Sequence, residues 1–157
     1  MLSYDETTGD FAWLVQKNSF GGKVKVGAAA GYINPNGYRE IRLNGKLYLG
    51  HRLAWFYTNR EWPQSEMDHI NGDPADNRIS NLRCVTSSQN KMNTSVRSDN
   101  ASGYKGVSWG KSVNKWVARI GVNGKYKHLG CFESIDEAVA ARAAAEKIYH
   151  GEYARSE

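Results

Sequence analysis

Two Asn-Gly dipeptides constrain this chain more than any other feature. Asn44-Gly45 lies between Ile41-Arg42-Leu43 and Leu47-Tyr48-Leu49, and Asn123-Gly124 lies between the apolar-rich runs Trp116–Val122 and Lys125–Phe132. Asn and Gly tolerate the positive φ that a tight two-residue hairpin turn demands, so each pair predicts antiparallel strands joined by a short turn. Thr8-Gly9-Asp10 and Asn36-Gly37 add further turn signals, and residues 1–50 read as a β platform. Its basic residues Lys23, Lys25, Arg39 and Arg42 fit solvated strand faces. The expected fold class is α+β.

Beyond the platform the character changes. His51-Arg-Leu-Ala-Trp-Phe-Tyr is dense in bulky apolar residues and predicts a short buried helix to about Asn59, stopped by Pro63. Thr94 to Ala101 is small, polar and without periodicity, and reads as a linker. After it, Tyr104–Trp109, Trp116–Val122 and Lys125–Phe132 predict three strands. Ser134-Ile-Asp-Glu137 then forms a capping box, and an alanine-rich helix follows that ends at Gly151. The boundaries are 1–93 for the first domain, with a core at about 63–93, then 94–101 as linker and 102–157 as a second domain.

Charge is unevenly placed. The chain carries 21 Lys and Arg against 16 Asp and Glu, net +5, but Ser102 to Phe132 holds six basic residues and no acid. A nucleic-acid partner suits that distribution better than a solvated face, which usually mixes signs. The two cysteines, Cys84 and Cys131, form no metal pattern and read as buried free thiols. No signal peptide and no apolar run of membrane-spanning length is evident, so a reducing, cytoplasmic compartment and no membrane partner are expected.

Chemistry concentrates between Met67 and Asn93. Met67-Asp68-His69-Ile70-Asn71-Gly72-Asp73 sets a carboxylate beside an imidazole just before a turn. Asn77-Arg78, Asn81-Leu82-Arg83, Val85-Thr86 and Gln89-Asn90 follow. Asp and Asn oxygens are hard ligands suited to Mg²⁺, and His is the commonest general base near neutral pH. A calcium loop is excluded, because fixing Gly72 at its sixth position puts Met67 and Arg78 where carboxylates are needed. Zinc lacks a second pair of ligands to join His69 and Cys84. From spacing alone, a loop rich in Asx turns with one solvent-facing histidine competes evenly with a catalytic site.

Taken together, His51-Arg-Leu-Ala-Trp, Asp68-His-Ile-Asn-Gly-Asp, Asn77-Arg, Asn81-Leu-Arg, Val85-Thr and Gln89-Asn90 resemble the HNH nuclease family. The likeness is strongest to its phage and homing-endonuclease branch and runs from about Tyr48 to Asn93. It implies a ββα unit around one divalent ion, Mg²⁺ with Mn²⁺ as the alternative. In that pattern His69 is the base that polarises water, Asp68 the first metal ligand and Asn81 the residue orienting the histidine. Asn90 is the second ligand, where many relatives have His, making this an H-N-N variant; Asn93 is the competing ligand. Arg78 and Arg83 flank the site as candidate phosphate contacts, with ordinary surface arginines as the equal alternative. His51 reads as structural.

The second domain resembles the AP2 DNA-binding domain from about Ser102 to Tyr153. The likeness rests on Tyr104-Lys-Gly-Val-Ser-Trp109, Trp116-Val-Ala-Arg-Ile120, His128-Leu-Gly-Cys-Phe132 and the alanine-rich helix. It implies a sheet that enters the major groove, with Lys105, Trp109, Lys115, Trp116, Arg119, Lys125 and Lys127 as contacts. A place in the core is the alternative for Trp109 or Trp116. The combined expectation is a phage- or mobile-element-encoded endonuclease acting on double-stranded DNA, as a nicking monomer or a double-cutting homodimer. By the same resemblance it leaves 5′-phosphate and 3′-hydroxyl ends. The alternatives are a DNA-binding regulator on an inactive nuclease fold and an RNA-directed nuclease.

Overall fold

The computed structural model describes residues 1–19, 22–96 and 98–154, with the side chains of Lys17–Ser19 left aside. Arg97 of the expected linker and residues 155–157 of the expected second domain therefore lie outside the described residues. The protein is a mixed α and β structure with several small antiparallel sheets. It divides into two compact units, Met1–Val85 and Thr86–Glu157, so the division falls ahead of the segment 94–101 read as a linker.

In the first unit β1 (Leu2–Tyr4) pairs with β2 (Phe11–Trp13), and β3 (Lys17–Ser19) with β4 (Gly22–Val24). A three-stranded antiparallel sheet follows, made of β5 (Tyr32–Ile33), β6 (Arg39–Leu43) and β7 (Lys46–Leu49). Asn44 and Gly45 turn β6 into β7 with φ of 48° and 80°, the mirror-image turn that the dipeptide predicts. Helix α1 (Gly50–Asn59) buries His51, Leu53 and Ala54. Leu53 and Ala54 join Leu2, Phe11, Trp13, Ala30, Ile41 and Leu82 in one core.

Helix α1 ends at Asn59, as the sequence predicts, but Pro63 is not what stops it. Arg60 takes the left-handed conformation (φ 61°) and donates its backbone N–H to the Phe56 carbonyl, closing the helix before Pro63 is reached. Trp62 then stacks between Phe56 (4.7 Å) and Tyr48 (5.6 Å), which fixes the chain reversal. The unit closes with β8 (Glu66–His69) antiparallel to β9 (Leu82–Val85), in a register that sets Asp68 opposite Arg83 and His69 opposite Leu82.

The second unit begins with a short helix, α2 (Ser87–Met92). Thr86 and Gln89 form a reciprocal capping box at its start, supplying partners for amides that a helix N-terminus leaves bare. Beyond it, β10 (Val107–Gly110), β11 (Lys115–Val122) and β12 (Lys125–Phe132) form an antiparallel sheet in chain order. Asn123 and Gly124 (φ 49° and 76°) make the β11–β12 turn. The first strand starts later than expected because Gly103 and Gly106, at φ 75° and 74°, turn the chain ahead of Val107. Helix α3 (Ile135–Tyr149) carries the Ser134–Glu137 capping box and buries Ala138, Arg142 and Ala145.

Register decides which residues share a side of this sheet. Val107 opposes Ala118, Trp109 opposes Trp116 and Ile120 opposes Lys127. Ala118 packs with Ala138 of α3, so these residues point toward the helix, as does Trp116, which packs on the same cluster. Arg119, opposite His128, and Val117, opposite Cys131, point away. Cys131 is accordingly exposed while Cys84 is half-buried, so the expectation of two buried thiols fails at Cys131.

Candidate active site

The short β8–β9 ladder brings Asp68 and His69 to buried positions at the end of β8. Between the two strands, residues 70–81 are held by side chains that mimic backbone turns. Asn71 Oδ1 accepts from the Asp73 amide (2.9 Å), Asp73 Oδ1 from the Ala75 amide (2.9 Å) and Asp76 Oδ1 from the Arg78 amide (3.2 Å). Asn81 ties the two ends together. Its Oδ1 accepts from the Asn71 amide (3.0 Å), and its Nδ2 donates to Asn71 Oδ1 (3.0 Å) and to the Asp76 carbonyl (2.9 Å). The backbone carbonyl of Asn81 accepts from the Ile70 amide at 2.9 Å, directly after His69. Asn81 thus braces the loop that follows the histidine, by bonds to backbone and to Asn71.

His69 sits among aromatic rings. His51 stands edge-on to it at 5.1 Å between ring centres, and Tyr38 lies 6.0 Å away. Burial pushes the His69 pKa below its usual value, against an opposing hydrogen bond with Asn77 and the nearby charges of Asp68, Asp73 and Asp76. An imidazole lowered in this way is neutral at pH 7 and able to accept a proton. For His51, burial first and then the charge repulsion of His69 and Arg52 push the pKa down to about 4. His51 and Asn77 were not among the sequence-nominated site residues. The His51-Arg-Leu-Ala-Trp motif held the signal for His51, and its structural reading hid how close it stands to His69.

The arginines are engaged with acids of the same unit. Arg83 donates to Asp68 Oδ2 from Nε (2.9 Å) and Nη2 (2.7 Å), and both side chains are largely buried. Arg78 donates to Asp76 from Nε (2.8 Å) and Nη2 (2.6 Å). The Arg78 guanidinium, chiefly through these hydrogen bonds, pulls the Asp76 carboxyl down to about 2. Asn90 lies half-buried on α2 in the second unit, and Asn93, which follows that helix, is buried.

No group of three or more His, Cys, Asp or Glu side chains among the described residues could hold a metal ion. The nominated donors are of another kind, one carboxylate and one amide oxygen. Such a set suits Mg²⁺, which keeps several waters and is held by one or two carboxylates together with substrate phosphate.

In the second unit the nominated contacts have different surroundings. Lys105 Nζ donates to the carbonyls of Lys91 (3.3 Å), Met92 (2.9 Å) and Thr94 (2.8 Å). Lys127 Nζ bonds the Tyr149 hydroxyl (3.0 Å) and lies over its ring, and Lys115 pairs with Glu133 (2.7 Å). Trp109 meets Trp116 edge-on at 5.3 Å. Arg119 is exposed on the face away from α3, while Lys125 is exposed at the hairpin end. The basic residues therefore do not all gather on the open face, as the strand alternation predicts. The register shift between Ala118 and Arg119 changes the alternation along β12.

Residues 48–92 match the family model described as HNH endonuclease, nearly the span over which the sequence resembles that family. The chain is also 32% identical over 108 residues to Protein 3.8 of Escherichia phage T7, which covers 67% of this chain and 87% of that protein. No solved structure gives a significant match. No helix among the described residues is long and apolar enough to cross a membrane. The chain belongs to the family of phage T7 Protein 3.8 and carries an HNH endonuclease domain.

Proposed function

We propose that the protein is a metal-dependent endonuclease that hydrolyses phosphodiester bonds of double-stranded DNA in the cytoplasm of a host cell. One observation carries this reading: His69 is a buried imidazole, its pKa lowered by that burial, next to a buried carboxylate inside the HNH stretch. His69 takes the proton of the attacking water, and the Asn81 brace holds the loop that begins beside it. The family's pattern assigns the ion to Asp68 and Asn90; when bound, Mg²⁺ supplies a Lewis acid for the phosphate and leaving oxygen. The AP2-like reading of the second unit assigns sequence preference to its sheet. Arg119, Trp109 and Lys125 are its exposed contacts, while Lys105, Lys115, Trp116 and Lys127 are engaged within the unit. The nicking activity of a homing-type enzyme fits a monomer with one site.

The Asp68–Arg83 pair favours a second reading, a DNA-binding regulator on an inactive nuclease fold. Supercoiled plasmid incubated with Mg²⁺, with and without chelator, beside a His69→Ala protein separates the two. Metal-dependent nicking that His69→Ala loses supports the enzyme. Intact plasmid in every lane, with DNA binding retained, leaves the regulator.

A further inference from the structure

The second unit contains a cavity of about 870 Å³ whose wall includes a buried arginine that the nuclease reading does not use. It opens beside β11 where β10 runs out, since β10 pairs only with Lys115–Ala118 and leaves the strand uncovered toward Val122. Arg142 of α3 forms part of its wall. This arginine occupies the stripe of α3 that otherwise buries Ala138 and Ala145, and its side chain is only 7% exposed. A buried guanidinium normally has its N–H groups satisfied, because stripping water from an ion is costly. Here Nη2 pairs with Glu146 (3.0 Å), while Nε and Nη1 are buried with no hydrogen-bond partner among the described residues.

The surroundings match an anion of nucleotide size. Gly106 makes room for the guanidinium: a Cβ there would stand 2.7 Å from Arg142 Nε and 2.3 Å from the Arg119 carbonyl. Lys91, Arg119 and Lys125 add positive charge to the walls, and Asp99 is the one carboxylate among the described lining residues. His150, also in the wall, is committed to the Gly121 carbonyl at 2.8 Å. At the rim Tyr126 is 79% exposed, a ring of the kind on which nucleobases stack. A small carboxylate would leave most of this volume empty, whereas ligand pockets of about 300–1,000 Å³ hold molecules of nucleotide size.

We propose that this cavity binds one nucleotide unit, with its phosphate on the Arg142 guanidinium and its base against Tyr126. The ligand chemistry is that of a nucleoside phosphate, either free or carried in a single strand. Arg119 and Lys125 of the wall are also proposed DNA contacts, but Arg142 and Tyr126 are not, so variants at these two residues separate the assignment from the nuclease reading.

The test is equilibrium binding to the full chain, using thymidine monophosphate by calorimetry and a labelled oligothymidylate by fluorescence anisotropy. Saturable binding of the mononucleotide, weakened about tenfold or more by Arg142→Gln, supports a free-nucleotide site. Binding of the oligonucleotide alone, with the same sensitivity, supports a site for a strand. In either case Tyr126→Ala, a surface change, weakens binding about fivefold or more. Should Arg142→Gln fail to fold, Lys91→Gln combined with Tyr126→Ala takes its place, with the same loss expected. Absence of binding by both probes, or affinities that folded variants leave unchanged, overturns the proposal.

Discussion

Asp68 and Arg83 face each other across β8 and β9, and the guanidinium directs both Nε and Nη2 to a single carboxylate oxygen, Oδ2. The pair is mostly buried, with 7% of the Asp68 side chain and 16% of the Arg83 side chain exposed. Removing one partner of such a pair takes a charged hydrogen-bond partner away from a buried ion. Arg83→Met is expected to destabilise the protein by about 3 kcal/mol, read from urea unfolding at pH 7. A loss below about 1 kcal/mol would show that water replaces the guanidinium at no great penalty. The variant also separates two roles: if Arg83 only seats Asp68, its DNA affinity at fixed salt stays unchanged while nicking falls.

The neighbouring histidine pair makes a prediction about acid. With its pKa depressed to about 4 by burial, His51 takes up a proton more readily in the unfolded chain, where it has its ordinary value of 6.5. Its contribution to stability is complete above pH 6.5 and is lost as pH falls through about 4. The full effect is at most about 3 kcal/mol. His69, also lowered, acts in the same direction. His51→Gln should therefore flatten the dependence of the urea midpoint on pH between neutrality and pH 4 without abolishing it. An unchanged slope would mean that His51 has water around it.

Asn81 should matter through the loop it braces. Asn81→Ala removes three side-chain hydrogen bonds from a buried position, and an expected loss of about 2 kcal/mol follows from partners left unsatisfied. Hydrogen exchange gives the sharper readout. The Asn71 amide, which donates to Asn81 Oδ1, should lose its protection, while the Met67 and Cys84 ladder positions keep theirs. Loss of protection along the whole ladder would instead make Asn81 a general stability residue.

Gly9 offers a test of what supports that loop from outside. Its φ is +77°, and a Cβ would come within 2.5 Å of the Arg78 amide nitrogen and 2.7 Å of the Asn77 carbonyl carbon. Backbone cannot yield as a side-chain tip can, so Gly9→Ala should combine left-handed strain with displacement of Asn77, for about 2 kcal/mol or more. The displaced segment carries the Asn77 contact to His69, so nicking should fall with it. A stable variant with full activity would refute that connection.

Features governed by local geometry were readable from sequence. Both Asn-Gly hairpins and the Ser134–Glu137 capping box form where the chain signals them, because turns and caps depend on a few adjacent residues. The Asp68–His69 pair stands out by composition alone. What stayed hidden depends on partners distant in sequence. No local pattern says that Asp68 meets Arg83, that His51 approaches His69, or that a shift in register turns Lys127 toward α3. Arg142 reads as one surface position of an alanine-rich helix until the sheet is laid against it.

Lys105 is where structure and family resemblance assign different work to one side chain. The resemblance makes it a DNA contact, while its ammonium rests on the Lys91, Met92 and Thr94 carbonyls at the end of α2. Helix C-terminal carbonyls lack intrahelical donors and carry partial negative charge, so a cation there satisfies both needs. Lys105→Met should cost about 1–2 kcal/mol of stability by leaving those carbonyls short of a donor. A phosphate contact behaves differently: its removal lowers the slope of log affinity against log salt by about one. The expected result for Lys105→Met is a weaker fold with an unchanged salt slope in DNA binding. A slope reduced by about one, with stability intact, would return Lys105 to the DNA interface.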